Sequence, residues 1–228
     1  MKINKIAAAY ISISAIFLYW LYIFIFHSGT PPDIPSGIGE LLFSIVRSKF
    51  IVLLVVFFLL YLEGDKIYRL GFTSKGIYRQ IGIGILFGVG SWILINIISI
   101  PLLNLINPNV AHKGVNMEIY MKDLYSVALW IPVLLFAVFV EELQRIFVLT
   151  RFENLFGKYG QYFALLLTSI TFGIGHLYQG INPAIGTGLG GLMYALVYLR
   201  KRLAWEAVIS HAVFNILSLV GGYLMNHK

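Results

Sequence analysis

Apolar runs as long as a bilayer is thick recur from one end of this chain to the other. A hydrocarbon core of ~30 Å takes about 20 helical residues to cross, because in lipid each backbone amide and carbonyl must be satisfied within its own segment. On that measure seven candidate spans lie near residues 6–26, 48–63, 81–104, 124–149, 161–178, 183–199 and 203–224. The second and sixth are short, so the count has a margin of one either way. The expected fold is an all-α polytopic membrane helix bundle. Composition agrees: 59% of the 228 residues are hydrophobic, 12% are charged, and the mean hydropathy is +0.83, far from the values of a soluble domain. The longest polar stretches, around residues 27–49 and 63–80, have only loop length. Residues 1–228 are therefore read as a single integral membrane domain.

The net charge of +7 does not indicate nucleic acid, since the basic residues stand singly or in short groups between apolar runs. They report orientation instead. With the N-terminus cytoplasmic, the inner side receives Lys2, Lys5, Lys66, Arg69, Lys75, Arg79, Arg151, Lys158, Arg200, Lys201 and Arg202, and the outer side Arg47, Lys49, Lys113, Lys122 and Lys228. Arg145 remains within the membrane. The first apolar run, from Ile6 to Phe26, is longer than a signal-peptide core and lacks a small-x-small cleavage site, so it is expected to stay as the first span. Pro31, Pro32 and Pro35 interrupt any helix and mark an outer connection. The absence of cysteine excludes disulfides, a thiol nucleophile and thiolate metal ligands. Gly186, Gly188, Gly190 and Gly191 form a small-residue face suited to close helix packing.

Against this background six polar residues inside the spans stand out: Glu141, Glu142, Arg145, His176, His211 and Asn215. An ionisable group at bilayer depth costs at least ~2.5 kcal/mol on insertion scales. Glu141 and Glu142 lie four and three residues before Arg145, so both can reach the guanidinium on one helical face. A single pair would read as a self-neutralising packing device. The second glutamate leaves an acid beyond what the arginine needs. His176 follows two glycines in Phe172-Gly173-Ile174-Gly175-His176, and His211 and Asn215, four apart, share one helical face.

Two histidines, an asparagine and a carboxylate pair suit peptide-bond hydrolysis in two ways. In one, a glutamate and a histidine activate water while the other histidine and the asparagine donate to the oxyanion. In the other, Glu141, His176 and His211 bind zinc, whose water becomes the nucleophile. No His-Glu-x-x-His helix is present, so a zinc site would be assembled from separate spans. A non-catalytic scaffold built on the same residues, and a proton-coupled transporter, are the alternatives from other classes. No pair of broken helices in corresponding halves supports the transporter.

These residues resemble the CPBP intramembrane proteases, the CAAX-protease and bacteriocin-immunity family. That family carries Glu-Glu-x-x-x-Arg, then Phe-x-x-x-His, then His-x-x-x-Asn on successive spans; Phe172 to His176 and His211 to Asn215 fit the second and third patterns directly. The resemblance covers roughly residues 125–220, with a weaker echo at Leu70-Gly71-Phe72. It implies an α-helical membrane endopeptidase acting on a membrane-associated protein or peptide, in the cytoplasmic membrane of a bacterium, or an immunity protein of the same fold. It further implies that the family's first glutamate and first histidine activate water and that the later histidine and asparagine form an oxyanion hole. Older descriptions of the family speak of a metalloprotease.

The first motif departs from the pattern, since only two residues separate Glu142 from Arg145. The run from Arg145 to Glu153 favours alignment on the arginine, which gives Glu141 the arginine-paired place and turns Glu142 ~100° away. A π-bulge would restore the usual geometry; otherwise the acids act differently or activity is lost. At ~1.5 Å per residue Glu141 and His211 lie near mid-membrane, whereas His176 lies toward the outer face. A bent fifth helix, with residues 152–163 as an in-plane connection interrupted by Gly157 and Gly160, would bring His176 into register.

Overall fold

A computed structural model describes residues 5–27, 38–106, 108 and 123–226. The connection expected around Pro31, Pro32 and Pro35 lies outside the described residues, as do Lys2, Lys113, Lys122 and Lys228 of the charge assignment. The described chain forms α1 (Lys5–His27), α2 (Ile38–Glu63), α3 (Ile77–Trp92), α4 (Ile100–Ile106), α5 (Leu124–Ile174), α6 (Ile181–Lys201) and α7 (Ala204–Asn226). A π-helical stretch, Ile93–Ser99, joins α3 to α4 without a break. No strand occurs among the described residues, and the protein is an all-α membrane helix bundle. Four helical stretches there are long and apolar enough to cross a bilayer: Ile38–Glu63, Ile77–Ile106, Leu124–Ile174 and Ala204–Leu224. Ile6–Leu18 is a shorter apolar helix.

Three of the expected spans change shape. The second, read as 48–63, begins at Ile38, so Arg47 and Lys49 are residues of a helix and not of an outer loop. The fourth and fifth are joined in one 51-residue helical stretch, broken only at Gly157, whose φ of 62° and ψ of −151° fall in a region essentially reserved for glycine. A straight helix would hold Arg145 and Phe172 about 40 Å apart. Instead the guanidinium carbon of Arg145 lies 4.6 Å from the Phe172 ring centroid, so α5 is a helical hairpin turning at Gly157. Gly160 supports the turn, because a Cβ there would come within 2.4 Å of the Phe152 carbonyl oxygen. The reversal needs one residue and not a separate in-plane helix.

The first arm of α5 is the core of the bundle. Val138, Val140, Leu143, Ile146, Phe147, Val148 and Leu149 point in every direction round the helix and are all at most 1% exposed, which requires neighbours on all sides. Helices α1, α2, α6 and α7 supply them. On one side α2 runs alongside, with Val52, Val56, Leu59 and Leu60 buried against it. Near the end of α2 Arg151 bonds Glu63 and, at 3.1 Å, Asp65, and Ser12 of α1 donates to Glu63 at 2.6 Å. Three helices are thereby clasped at one level. Helix α3 closes on α7 through Gly84 and Gly88, where a Cβ would lie 2.6 Å from Ile209 Cβ and 2.7 Å from the Ser210 carbonyl oxygen.

The Leu70-Gly71-Phe72 segment is a packing element at the start of α7. The Gly71 carbonyl accepts from Ala204 N at 3.0 Å, and Phe72 meets Trp205 and Phe139 edge-on, at 5.4 and 5.5 Å. Gly71 has φ of 94° and a Cβ would stand 2.2 Å from the Arg202 carbonyl oxygen. Only glycine fits that contact.

Candidate active site

Glu141 and Glu142 are adjacent on an unbroken α-helical stretch of α5, so their side chains diverge by ~100°. The winding anomaly considered above is not there; the π-helical turn is on a different helical stretch, at Ile93–Ser99. Glu142 is fully buried and Arg145 is 4% exposed. Glu142 Oε1 accepts a short hydrogen bond from Arg145 Nη1 and a second, at 2.8 Å, from His211 Nδ1–H. The expectation that Glu141 takes the arginine is therefore corrected. Residues three and four apart on a helix both lie within reach of one another, so shortening the spacing by one residue still leaves Arg145 a partner, and the second glutamate takes the role.

The buried pair is enclosed by aromatic rings and backbone. The Arg145 guanidinium lies over Phe172 at 4.6 Å and 5.9 Å from Tyr194, contacts in which a desolvated cation gains from the ring quadrupole. Tyr194 stacks on His211 at 4.5 Å with an interplanar angle of 14°. Room for these contacts comes from the glycine face of α6. A Cβ on Gly191 would sit 3.0 Å from Phe172 Cδ1 and 3.2 Å from Arg145 Nη2. Gly188 likewise passes Gly173 of α5 closely, as a Cβ on Gly173 would be 2.8 Å from the Ala184 carbonyl oxygen and 3.3 Å from Gly188 Cα. The expected role of this face, close packing, is the observed one.

Glu141 points the other way. Its Oε1 lies 2.6 Å from Lys49 Nζ of α2, and its Oε2 lies 3.8 Å from His211 Nε2. The carboxylate keeps 14% of its side-chain surface exposed, against none for Glu142. His211 thus stands between the two acids, its Nδ1 on one and its Nε2 facing the other. Since a carboxylate can only accept, Nδ1 carries a proton.

His176 lies just past the end of α5, where the Gly175 turn curls the chain back, and its Nδ1–H donates to the Phe172 carbonyl at 2.8 Å. That bond leaves Nε2 of the neutral ring as a lone-pair acceptor. The ring packs on Phe172 at 4.8 Å, and Phe172 in turn touches His211 at 5.5 Å. Phe172 is the common floor of the site. The hairpin and this backward curl lower His176 into register with the acids, and Glu141 interacts electrostatically with both His176 and His211. Asn215 stands one turn beyond His211 on α7, half-buried, with no side-chain hydrogen bond among the described residues.

The zinc arrangement of Glu141, His176 and His211 does not fit this geometry. Among the described residues no three His, Cys, Asp or Glu side chains are grouped as metal ligands. A lysine ammonium occupies one oxygen of Glu141. A cation of fixed charge beside the only partly open carboxylate disfavours a second cation there.

Lys49 and Tyr194 belong to the site and carry no motif. Lys49 follows Arg47 and Ser48 on α2 and Tyr194 stands among apolar residues of α6, and only tertiary packing brings either to the acids. No curated protein and no solved structure matches the chain. Residues 123–217, which hold both glutamates, the arginine, both histidines and the asparagine, match the family model described as type II CAAX prenyl endopeptidase Rce1-like. Over that segment the chain is similar to the type II CAAX prenyl endopeptidase Rce1-like family, and the buried polar cluster lies within the matched residues.

Proposed function

We propose that this protein is an intramembrane endopeptidase in which Glu141 and His176 activate the hydrolytic water. The observation that carries the reading is the division of labour between neighbouring acids: Glu142 is consumed by Arg145 and His211, while Glu141 faces both histidines with surface still open. Glu141 and His176 Nε2 hold a water and take its proton as its oxygen attacks the scissile carbonyl, and the same base returns that proton to the departing amine as the C–N bond breaks. His211, carrying a proton on each ring nitrogen between the two carboxylates, donates through Nε2 to the oxyanion together with the Asn215 amide, Arg145 fixes Glu142, and Glu142 fixes His211. The chemistry assigned here is metal-independent. The substrate is a membrane-associated protein or peptide, of the prenylated CAAX class by the family's description. The host membrane is a bacterial cytoplasmic membrane, with the N-terminus and the richer set of lysines and arginines inside.

The test is cleavage by purified protein in liposomes of a fluorescence-quenched farnesyl-cysteine peptide and of its unprenylated counterpart, with His176→Ala and His211→Ala beside wild type. Both variants are expected to lose at least about 100-fold in kcat while unfolding at a temperature near that of wild type. Chelator treatment is expected to leave the rate unchanged. Wild-type turnover by folded His176→Ala and His211→Ala proteins would end this reading.

A further inference from the structure

Lys49 is the one charged group at the site that stands outside the matched segment. Counting ~1.5 Å per residue, it lies about 16 Å from the start of α2 and about 21 Å from its end. A flexible lysine stem in lipid ordinarily carries its ammonium toward the headgroups. This one turns inward, to within 2.6 Å of Glu141 Oε1. Helical spacing aims it: Lys49, Val52, Val56, Leu59 and Glu63 form one stripe of α2, its apolar members buried and its last member bonded to Arg151 of α5. Two ion pairs thus fix α2 along α5, one beside the site and one near the helix end. The ammonium also interacts electrostatically with His176 and Tyr178, and the Tyr178 ring stacks on His176 at 5.9 Å.

We propose that Lys49 is a positioning residue for hydrolysis: it holds Glu141 by one oxygen, so that the other oxygen stays turned toward His211 and the substrate water. The proposal rests on Glu141 being the hydrolytic acid, as argued above. A carboxylate on a helix has free χ torsions, and an acid anchored at one oxygen loses that freedom before substrate arrives. A merely structural tie between α2 and α5 would affect folding and leave turnover alone.

The experiment compares wild type, Lys49→Met, Lys49→Arg, Glu141→Gln and the Lys49→Met/Glu141→Gln double variant on the farnesyl-cysteine peptide in liposomes, with thermal unfolding of each. Lys49→Met is expected to lower kcat about 10- to 100-fold with KM within about twofold of wild type. Lys49→Arg should recover most of the rate, and Lys49→Met should cause no further loss once Glu141 is glutamine. If Lys49→Met does not fold, Lys49→Gln carries the same comparison. An unchanged kcat in a folded Lys49 variant, with Glu141→Gln inactive, overturns the positioning role alone. Full activity of Glu141→Gln overturns the acid assignment and this proposal with it.

Discussion

Neighbouring glutamates on one helix end in opposite situations. Glu142 forms a sealed pair with Arg145, three residues away on the same helix, both partners almost without exposed surface. Glu141 forms an open pair with Lys49 of another helix, the side chains 14% and 28% exposed. The sealed pair has no room for substrate and every reason to be kept intact, since each charge is the main compensation of the other in a medium that solvates neither. The open pair leaves a carboxylate oxygen accessible. One turn of helix therefore holds both a sealed and an open acid, and the ~100° between adjacent residues separates the two environments.

That contrast can be broken most forcefully at Arg145. Replacing it by leucine strands the Glu142 charge and should remove about 3–5 kcal/mol of stability, seen as a large fall in unfolding midpoint and in the yield of folded protein from membranes. Glu141→Gln should do the reverse. It is expected to keep the unfolding midpoint close to wild type while reducing cleavage about 10²- to 10⁴-fold; a stability loss matching that of Arg145→Leu would mean that the two acids are not distinct. The smallest effect is expected at the pair of Arg202 and Glu153, whose side chains are 38% and 35% exposed. Glu153→Gln should change stability by about 0–1 kcal/mol and activity not at all, which sets the baseline against which the buried pairs are measured.

Local relations were legible in the chain and distant ones were not. The pairing capacity of Glu142 with Arg145 and the shared face of His211 and Asn215 follow from three- and four-residue helical spacing alone. The same spacing left Glu141 and Glu142 equally able to reach Arg145, and alignment on the arginine chose the wrong one. What decides between them lies elsewhere: His211, 69 positions away, donates to Glu142, and Lys49 draws Glu141 aside. Lys49 itself gave no signal because it closes the polar stretch around residues 27–49, next to Arg47 and Ser48, ahead of a nearly all-apolar remainder of α2. In such a helix no amphipathic contrast marks which face meets the protein and which meets lipid.

By itself the sequence determined the all-α membrane bundle, since long apolar runs permit little else in lipid, and the six polar residues that gather in its interior, since each is expensive there without a partner. The glycine face of α6 and the break at Gly157 were visible as composition. Only the tertiary structure decided that Gly157 folds α5 into a hairpin, that Phe172 thereby comes beneath Arg145 and His211, and which acid is sealed and which is open. Those outcomes depend on contacts between helices, and a helix's sequence states what its faces carry but not which neighbour each face will meet.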